Sequence, residues 1–292
     1  MIPHRFHGLV RNATGIALLA LPAAAQIANP ADKQKPPQDP AQLPEETVVT
    51  GQQVSDLREE DRIGPYGQPE WTAHRRFPFT RIYVRPPGTF SFEYWVRPTV
   101  PKDGGSSDVR TQYEFELGLP GRWQMDLYLN QNKEGSEGEM KNENAFELRY
   151  ALADWGKLWG NPTLYGEYKS RDAEVDVVEF KFLVGDELGS SWHWGSNLYL
   201  EREVGGTGEN DYGFTAGLSK TLDDQRFSLG AELKIEYVDL SASRGDYDKV
   251  FLLGPSAQYR PTRHIHMDFA PLIGMGPDSP AMQALFVVGY EF

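Results

Sequence analysis

Residues 282–292 read M-Q-A-L-F-V-V-G-Y-E-F, and their order decides the fold. Counting back from Phe292, one face carries Tyr290, Val288, Phe286 and Ala284, while Glu291, Gly289 and Gln283 take the other. This is the period-two pattern of a strand with one oily and one mixed face. Chain ends are commonly frayed and polar. Here aromatics stand at the final position and two residues before it. Two settings accommodate such a strand: a buried strand of a soluble sheet, or the wall of a barrel in lipid.

Working upstream, the same alternation recurs back to Thr89 and defines twelve candidate strands: 90–100, 109–119, one from Trp123, 144–152, 163–169, 175–184, 192–202, 212–220, 227–237, 250–260, 264–271 and the closing strand. The ninth is the cleanest, with Leu229, Ala231, Leu233 and Ile235 set against Glu232, Lys234 and Glu236. The tenth is ambiguous in phase, because Val250-Phe251-Leu252-Leu253 is apolar throughout. Polar and charged residues at every second position of the second, third and ninth stretches do not fit a 3.6-residue repeat, which argues against amphipathic helices. Segments of this length suit tilted strands crossing a bilayer, and an even number returns both ends to one side.

With the first strand running outward, inner turns fall at 119–122, 153–162, 185–191, 221–225 and 261–263. Outer loops include 131–143, 203–211, 239–248 and 274–281, rich in Gly, Asp and Glu. Long loops outside and short turns inside are the barrel rule. The long inner turn 153–162 and the short outer loop 170–173 depart from it. Trp123, Trp155, Trp159, Trp192 and Trp194 all fall at or beside inner turns, as an aromatic belt at the membrane–water boundary would place them.

These features resemble bacterial outer-membrane β-barrel proteins of the small porin-like kind. The resemblance implies an all-β, transmembrane, antiparallel up-and-down barrel over 89–292, with outer-membrane lipid around it. It also implies that Phe286, Val288, Tyr290 and Phe292 form the signal read by the barrel-assembly machinery.

The composition is compatible. No run of eighteen apolar residues exists, which excludes helical spans beyond an export signal, while a barrel needs only alternate apolar residues. The chain has no cysteine, so disulfide frameworks and thiolate metal sites are excluded. A formal charge of −13 argues against nucleic acid as a partner.

Residues 1–25 read as a secretory signal, with Arg5 and Arg11, an apolar core at Ile16–Leu21 and Ala23-Ala24-Ala25 for cleavage. Residues 26–45 have the composition of a solvated linker. Glu46-Thr47-Val48-Val49-Thr50-Gly51 resembles the TonB box of TonB-dependent receptors, which implies strand pairing of Thr47, Val48, Val49, Thr50 and Gly51 with a periplasmic TonB-like partner. The chain is too short for the plug domain and twenty-two strands of a classical receptor of that kind. Residues 46–88 show no period, and a periplasmic lead-in and a small plug beneath the barrel both remain open.

The inward faces of the strands supply the candidate pore lining. On the first four strands these are Glu93, Arg97, Arg110, Glu114, Glu116, Asp126, Glu147 and Arg149, with Arg122 beside the first inner turn. Later strands add Glu179, Lys181, Glu201, Glu232, Lys234, Glu236, His266 and Asp268. Charges in a barrel need water or partners. They either line opposite walls of a hydrated channel or pair across the lumen and close it. The first arrangement gives a passage with excess acid, favouring cations or neutral polar solutes by passive diffusion, with residues before Thr89 gating from below. The second gives a non-conducting barrel that anchors or docks a periplasmic complex. His264-x-His266-x-Asp268 is better read as lumen lining than as a catalytic or metal site, because no nucleophile constellation accompanies it. The expectation is a channel, not an enzyme, with no cofactor.

Overall fold

The computed structural model describes residues 58–172, 174–205 and 208–292. The expected export signal (1–25), the expected linker (26–45) and the Thr47–Gly51 motif lie outside the described residues. A short hairpin, β1 (Arg62–Ile63) and β2 (Gln68–Pro69), and a 3-10 turn at Glu70–Ala73 come first. Twelve long strands follow: β3 (Phe90–Val100), β4 (Asp108–Leu119), β5 (Trp123–Lys133), β6 (Met140–Ala151), β7 (Thr163–Arg171) and β8 (Val177–Glu187) form one half. The other half is β9 (Trp192–Glu203), β10 (Asn210–Asp223), β11 (Phe227–Asp239), β12 (Asp248–Tyr259), β13 (Ile265–Gly274) and β14 (Met282–Glu291). Each pairs antiparallel with its sequence neighbours, and β14 returns to β3 with Gly289 opposite Glu93, so the sheet closes as a barrel. Closure leaves no sheet edge, which is the condition for strands to sit in hydrocarbon.

The outer surface is an apolar belt. Leu127, Leu129, Phe146, Phe180, Leu198, Leu229, Phe269, Phe286 and Val288 are exposed on it. Aromatics flank it toward the inner turns, where Trp123 lies against Tyr150, Trp159 against Trp194 and Tyr290 against Phe292. Tyr212, Tyr237 and Tyr247 cluster toward the other rim. An apolar band between two aromatic girdles is the signature of a transmembrane barrel.

Three expectations change. The outer connections shrink to residues 134–139, 204–209, 240–247 and 275–281, because the ladder continues beyond the amphipathic stretch. Asn130↔Glu143 and Lys133↔Met140 still pair where the apolar–polar alternation has lapsed and the period is silent. The phase of β12 resolves with Leu252 buried inward and Leu253 exposed. Finally, Trp155 is no belt residue: it is buried, its indole edge-on to Trp71 at 5.7 Å and to Tyr83 at 5.2 Å.

Candidate functional site: the lumen and the segment inside it

Trp155 is buried because the segment 58–89, largely exposed over its first eight residues, runs inside the barrel from Tyr66 onward. The segment is anchored among the inner turns: Tyr66 donates its hydroxyl to the Leu119 carbonyl (3.1 Å), and its own carbonyl accepts the Trp155 N–H (2.9 Å). Tyr83 donates to the Ala153 carbonyl at 2.6 Å. Burial, then the nearby Asp154 carboxylate, pushes the Tyr83 phenol up from its ordinary pKa, so it stays a donor. These contacts explain the long inner turn 152–162, which reaches inward to hold the segment.

Beyond the anchor, the chain from His74 to Arg85 is irregular, and its backbone groups need partners in a space that strands cannot supply. Wall side chains provide them. Asn197 accepts from the Arg81 N–H (2.8 Å) and donates to the Arg81 carbonyl (2.6 Å), imitating a strand neighbour. Gln124 accepts from the Arg85 N–H and Glu232 from the Phe79 N–H, each at 2.8 Å.

The wall is also shaped to fit. An added Cβ at Gly217 would lie 2.5 Å from the Phe77 ring, and one at Gly195 would lie 3.0 Å from Ile82. Phe79 packs against two apolar groups on the inner wall, Trp95–Leu285–Val287 and Leu252–Ala270–Leu272. That socket is why β12 and β14 carry apolar residues on both faces. The inward glycines at 213, 230, 254 and 289 leave no open space either: their missing side chains admit Tyr199, wall atoms around Ser256, the Pro271 carbonyl and His266 respectively.

Charge makes the third element of fit. On the inner half of β3–β6 stand five acids, Glu93, Glu114, Glu116, Asp126 and Glu147, against one base, Arg149. Arg149 serves Asp126 (2.7 Å) and Glu147. The segment supplies the rest. Arg75 reaches Glu93 (2.5 Å), Glu114 (3.3 Å) and Glu116 (3.5 Å). Arg81 bridges Glu114 and Glu116, and Arg85 pairs with Glu116 at 2.9 Å. Glu93, Glu114 and Glu116 are close enough together to hold a metal ion, but these guanidiniums already bond at least one oxygen of each. Leaving such carboxylates buried and unpaired would be heavily penalised.

The candidate pore-lining residues therefore divide by depth. Glu93, Glu114, Glu116, Asp126, Glu147, Arg149, Glu179, Glu232, His266 and Asp268 point inward and are buried. His266 Nδ1 lies 2.6 Å from Asp268 and its Nε2 lies 3.3 Å from Glu93, a polar cluster on the wall; His264 instead stacks on Tyr290 outside it. Arg97, Arg110, Lys181, Glu201, Lys234 and Glu236 line a cavity in the outer half. Arg122 does not line the lumen. It sits on the β4–β5 turn with φ of 67°, donating to the Ala151 carbonyl, to the Tyr150 hydroxyl and to Asp154, and the bonds to Tyr150 and then Asp154 raise its pKa. The residues missed from sequence are Arg75, Arg81, Arg85, Gln124 and Asn197. Their one legible sign was a cationic stretch directly preceding a barrel with surplus acid.

The outer cavity measures about 520 Å³ and reaches loop residues Glu134 and Glu174; Pro78, Phe79, Arg81 and Trp95 form its floor. Deeper cavities, between segment and wall, measure about 30 and 10 Å³, room for little more than a water each. The cavity lining carries eight cations against nine anions, so the acid excess expected along the whole lumen falls to a single charge in its open half.

No protein-family model matches this chain, and no curated relative does. Among solved structures, the NanC porin aligns over 70% of this chain and 98% of its own, at 12% identity and a TM-score of 0.49. The KdgM porin aligns over 69% and 99%, at 9% identity and 0.48. An outer-membrane channel from Pseudomonas putida F1 aligns over 72% and 97%, at 11% identity and 0.48.

Proposed function

We propose that this chain is a bacterial outer-membrane channel for small polar solutes, held shut from the periplasmic side by its own residues 58–89. The observation that carries this reading is the polar outer cavity ending on Pro78, Phe79 and Arg81, which belong to the segment, beside Trp95 of the wall. A floor built from the wall would be permanent. One built from a strap attached at Thr89, and seated in a glycine-lined groove, can leave without breaking a single barrel ladder. The handle for withdrawal would be the upstream chain, with Thr47–Gly51 pairing to a TonB-like periplasmic partner. Phe292 and the residues alternating with it would serve barrel assembly.

The non-conducting anchor is the second reading, and the buried ion pairs of Arg75, Arg81 and Arg85 favour it. A reversible cross-link separates the two. The chain has no cysteine, so thiols introduced by Ile82→Cys and Gly195→Cys can pair only with each other inside one molecule. Their positions are close enough for a disulfide. In planar bilayers, with urea on the inner-turn side to loosen the segment, the reduced protein should open in ohmic steps. Oxidation should abolish the steps and reductant restore them. Silence from the reduced, folded protein supports the anchor; steps that persist in the cross-linked protein mean that the segment is not the gate.

A further inference from the structure

We propose that the outer cavity binds short peptides with free termini, about three residues long, holding the carboxylate at Arg97 and the ammonium at Asp211. The proposal deepens the channel reading by naming the solute class, and its test requires binding only, not conduction.

The argument starts from ion-pair accounting. Around the cavity, Arg110 is taken by Glu143 (2.6 Å), Lys234 by Glu236 (3.0 Å), and Lys169 by Glu201 (2.5 Å) and Glu179 (2.9 Å). Arg81, Lys141, Arg171 and Lys181 each have a carboxylate within 4 Å, and Asp172 accepts a hydrogen bond from Asn142. Two lining charges stand apart. Among the described residues, Arg97 makes no hydrogen bond and no ion pair, and neither does the Asp211 side chain, whose Oδ1 is shielded from solvent and unpartnered.

Register explains both vacancies. Arg97 faces Arg110 across the β3–β4 ladder, and Arg110 has consumed the nearest acid. Asp211 faces Glu201 across β9–β10, and Glu201 has consumed the nearest base. Like charges directly opposite are destabilising. A bound anion beside Arg97 and a bound cation beside Asp211 would relieve each pair. A guanidinium with free N–H groups suits a carboxylate, to which it can bond bidentately.

One ligand meets both requirements if its charges are far enough apart. β10 and β3 are nearly opposite in the strand order. Strand spacing and tilt give a twelve-stranded barrel a diameter of roughly 24 Å, of which the two side chains leave roughly 10–15 Å to be spanned. An extended peptide advances about 3.3–3.6 Å per residue, so a tripeptide fits and a single amino acid does not. Between the two charges, the rings of Phe79, Trp95, Tyr128, Tyr165 and Tyr199 give side chains an amphipathic bed. The volume is in the usual range for small-molecule sites.

The test is isothermal titration calorimetry of trialanine into the full-length protein in detergent. N-acetyl-trialanine, trialanine amide, alanine and succinate serve as comparators. Trialanine should bind, and blocking either terminus should weaken it at least about tenfold. Arg97→Gln should erase the difference between free and amidated peptide while keeping that between free and acetylated peptide. Asp211→Asn should do the reverse. Equal binding of free and blocked peptides by the unaltered protein overturns the proposal whatever the variants do. Tighter binding of succinate overturns it in favour of an anion site, and no binding of trialanine overturns it outright. Failure here leaves the cross-link experiment untouched, since that reads the gate and not the solute.

Discussion

Gly217 offers the sharpest perturbation of the seated segment. A methyl group there would lie 2.5, 2.8 and 2.9 Å from three atoms of the Phe77 ring, where carbon contacts settle near 3.5–4.0 Å. The ring must retreat by about 1 Å, or the segment must leave. Overpacking of this kind costs about 1–3 kcal/mol. At about 1.4 kcal/mol per tenfold, the ratio of seated to released segment falls by about 5- to 150-fold. Gly217→Val adds two further methyls and belongs at the upper end. The readout is trypsin applied to proteoliposomes, because Arg75 and Arg76 are buried when the segment is seated and cleavable when it is not. Gly217→Val should be cut at these arginines while the barrel retains its heat-modifiable gel mobility. The double substitution Phe77→Ala with Gly217→Val should regain protection, since the new side chain fills the space the ring vacates. Gly213→Ala is the control: its Cβ meets the wall residue Tyr199 and not the segment, so it should leave the arginines protected. A folded Gly217→Val protein with full protection, or a Gly213→Ala protein cut as fast, would refute the idea that these glycines form the seat.

Two further outcomes follow from the polar contacts. Glu116→Gln takes the shared carboxylate from Arg75, Arg81 and Arg85; removing one partner of a buried ion pair costs about 3–5 kcal/mol, so the same trypsin assay should show cleavage increased by at least about a hundredfold. Asn197→Ala leaves both the Arg81 N–H and its carbonyl unpaired, at about 1–3 kcal/mol for each buried group, and should raise both tryptic sensitivity and the open fraction in bilayers without altering step size.

Strand number and face were legible in the sequence because lipid imposes a strict rule on alternate residues. The ladder from Phe90 to Glu291 obeys that rule almost everywhere. The rule governs one face only. Inside, Asn197 and Gln124 serve backbone amides of a segment more than thirty residues away in sequence, a role that no local pattern reports. Nor does the period-two reading reveal that Trp155 faces Trp71 and not lipid, since both surroundings favour an indole beside a turn.

What the sequence did contain was an imbalance. Glu93, Glu114 and Glu116 share one stretch of inner wall with no base on β3 or β4 at their depth, while Arg75, Arg81 and Arg85 stand just upstream in a stretch without period. A closed barrel cannot bury three neighbouring carboxylates unmatched, so the cations must come from elsewhere in the chain. The proline-rich stretch before Thr89 is short enough to fold back inside. The same accounting, carried to the outer half, is what isolates Arg97 and Asp211. There no described residue pairs directly with either group, and the walls stay open to a partner from solution.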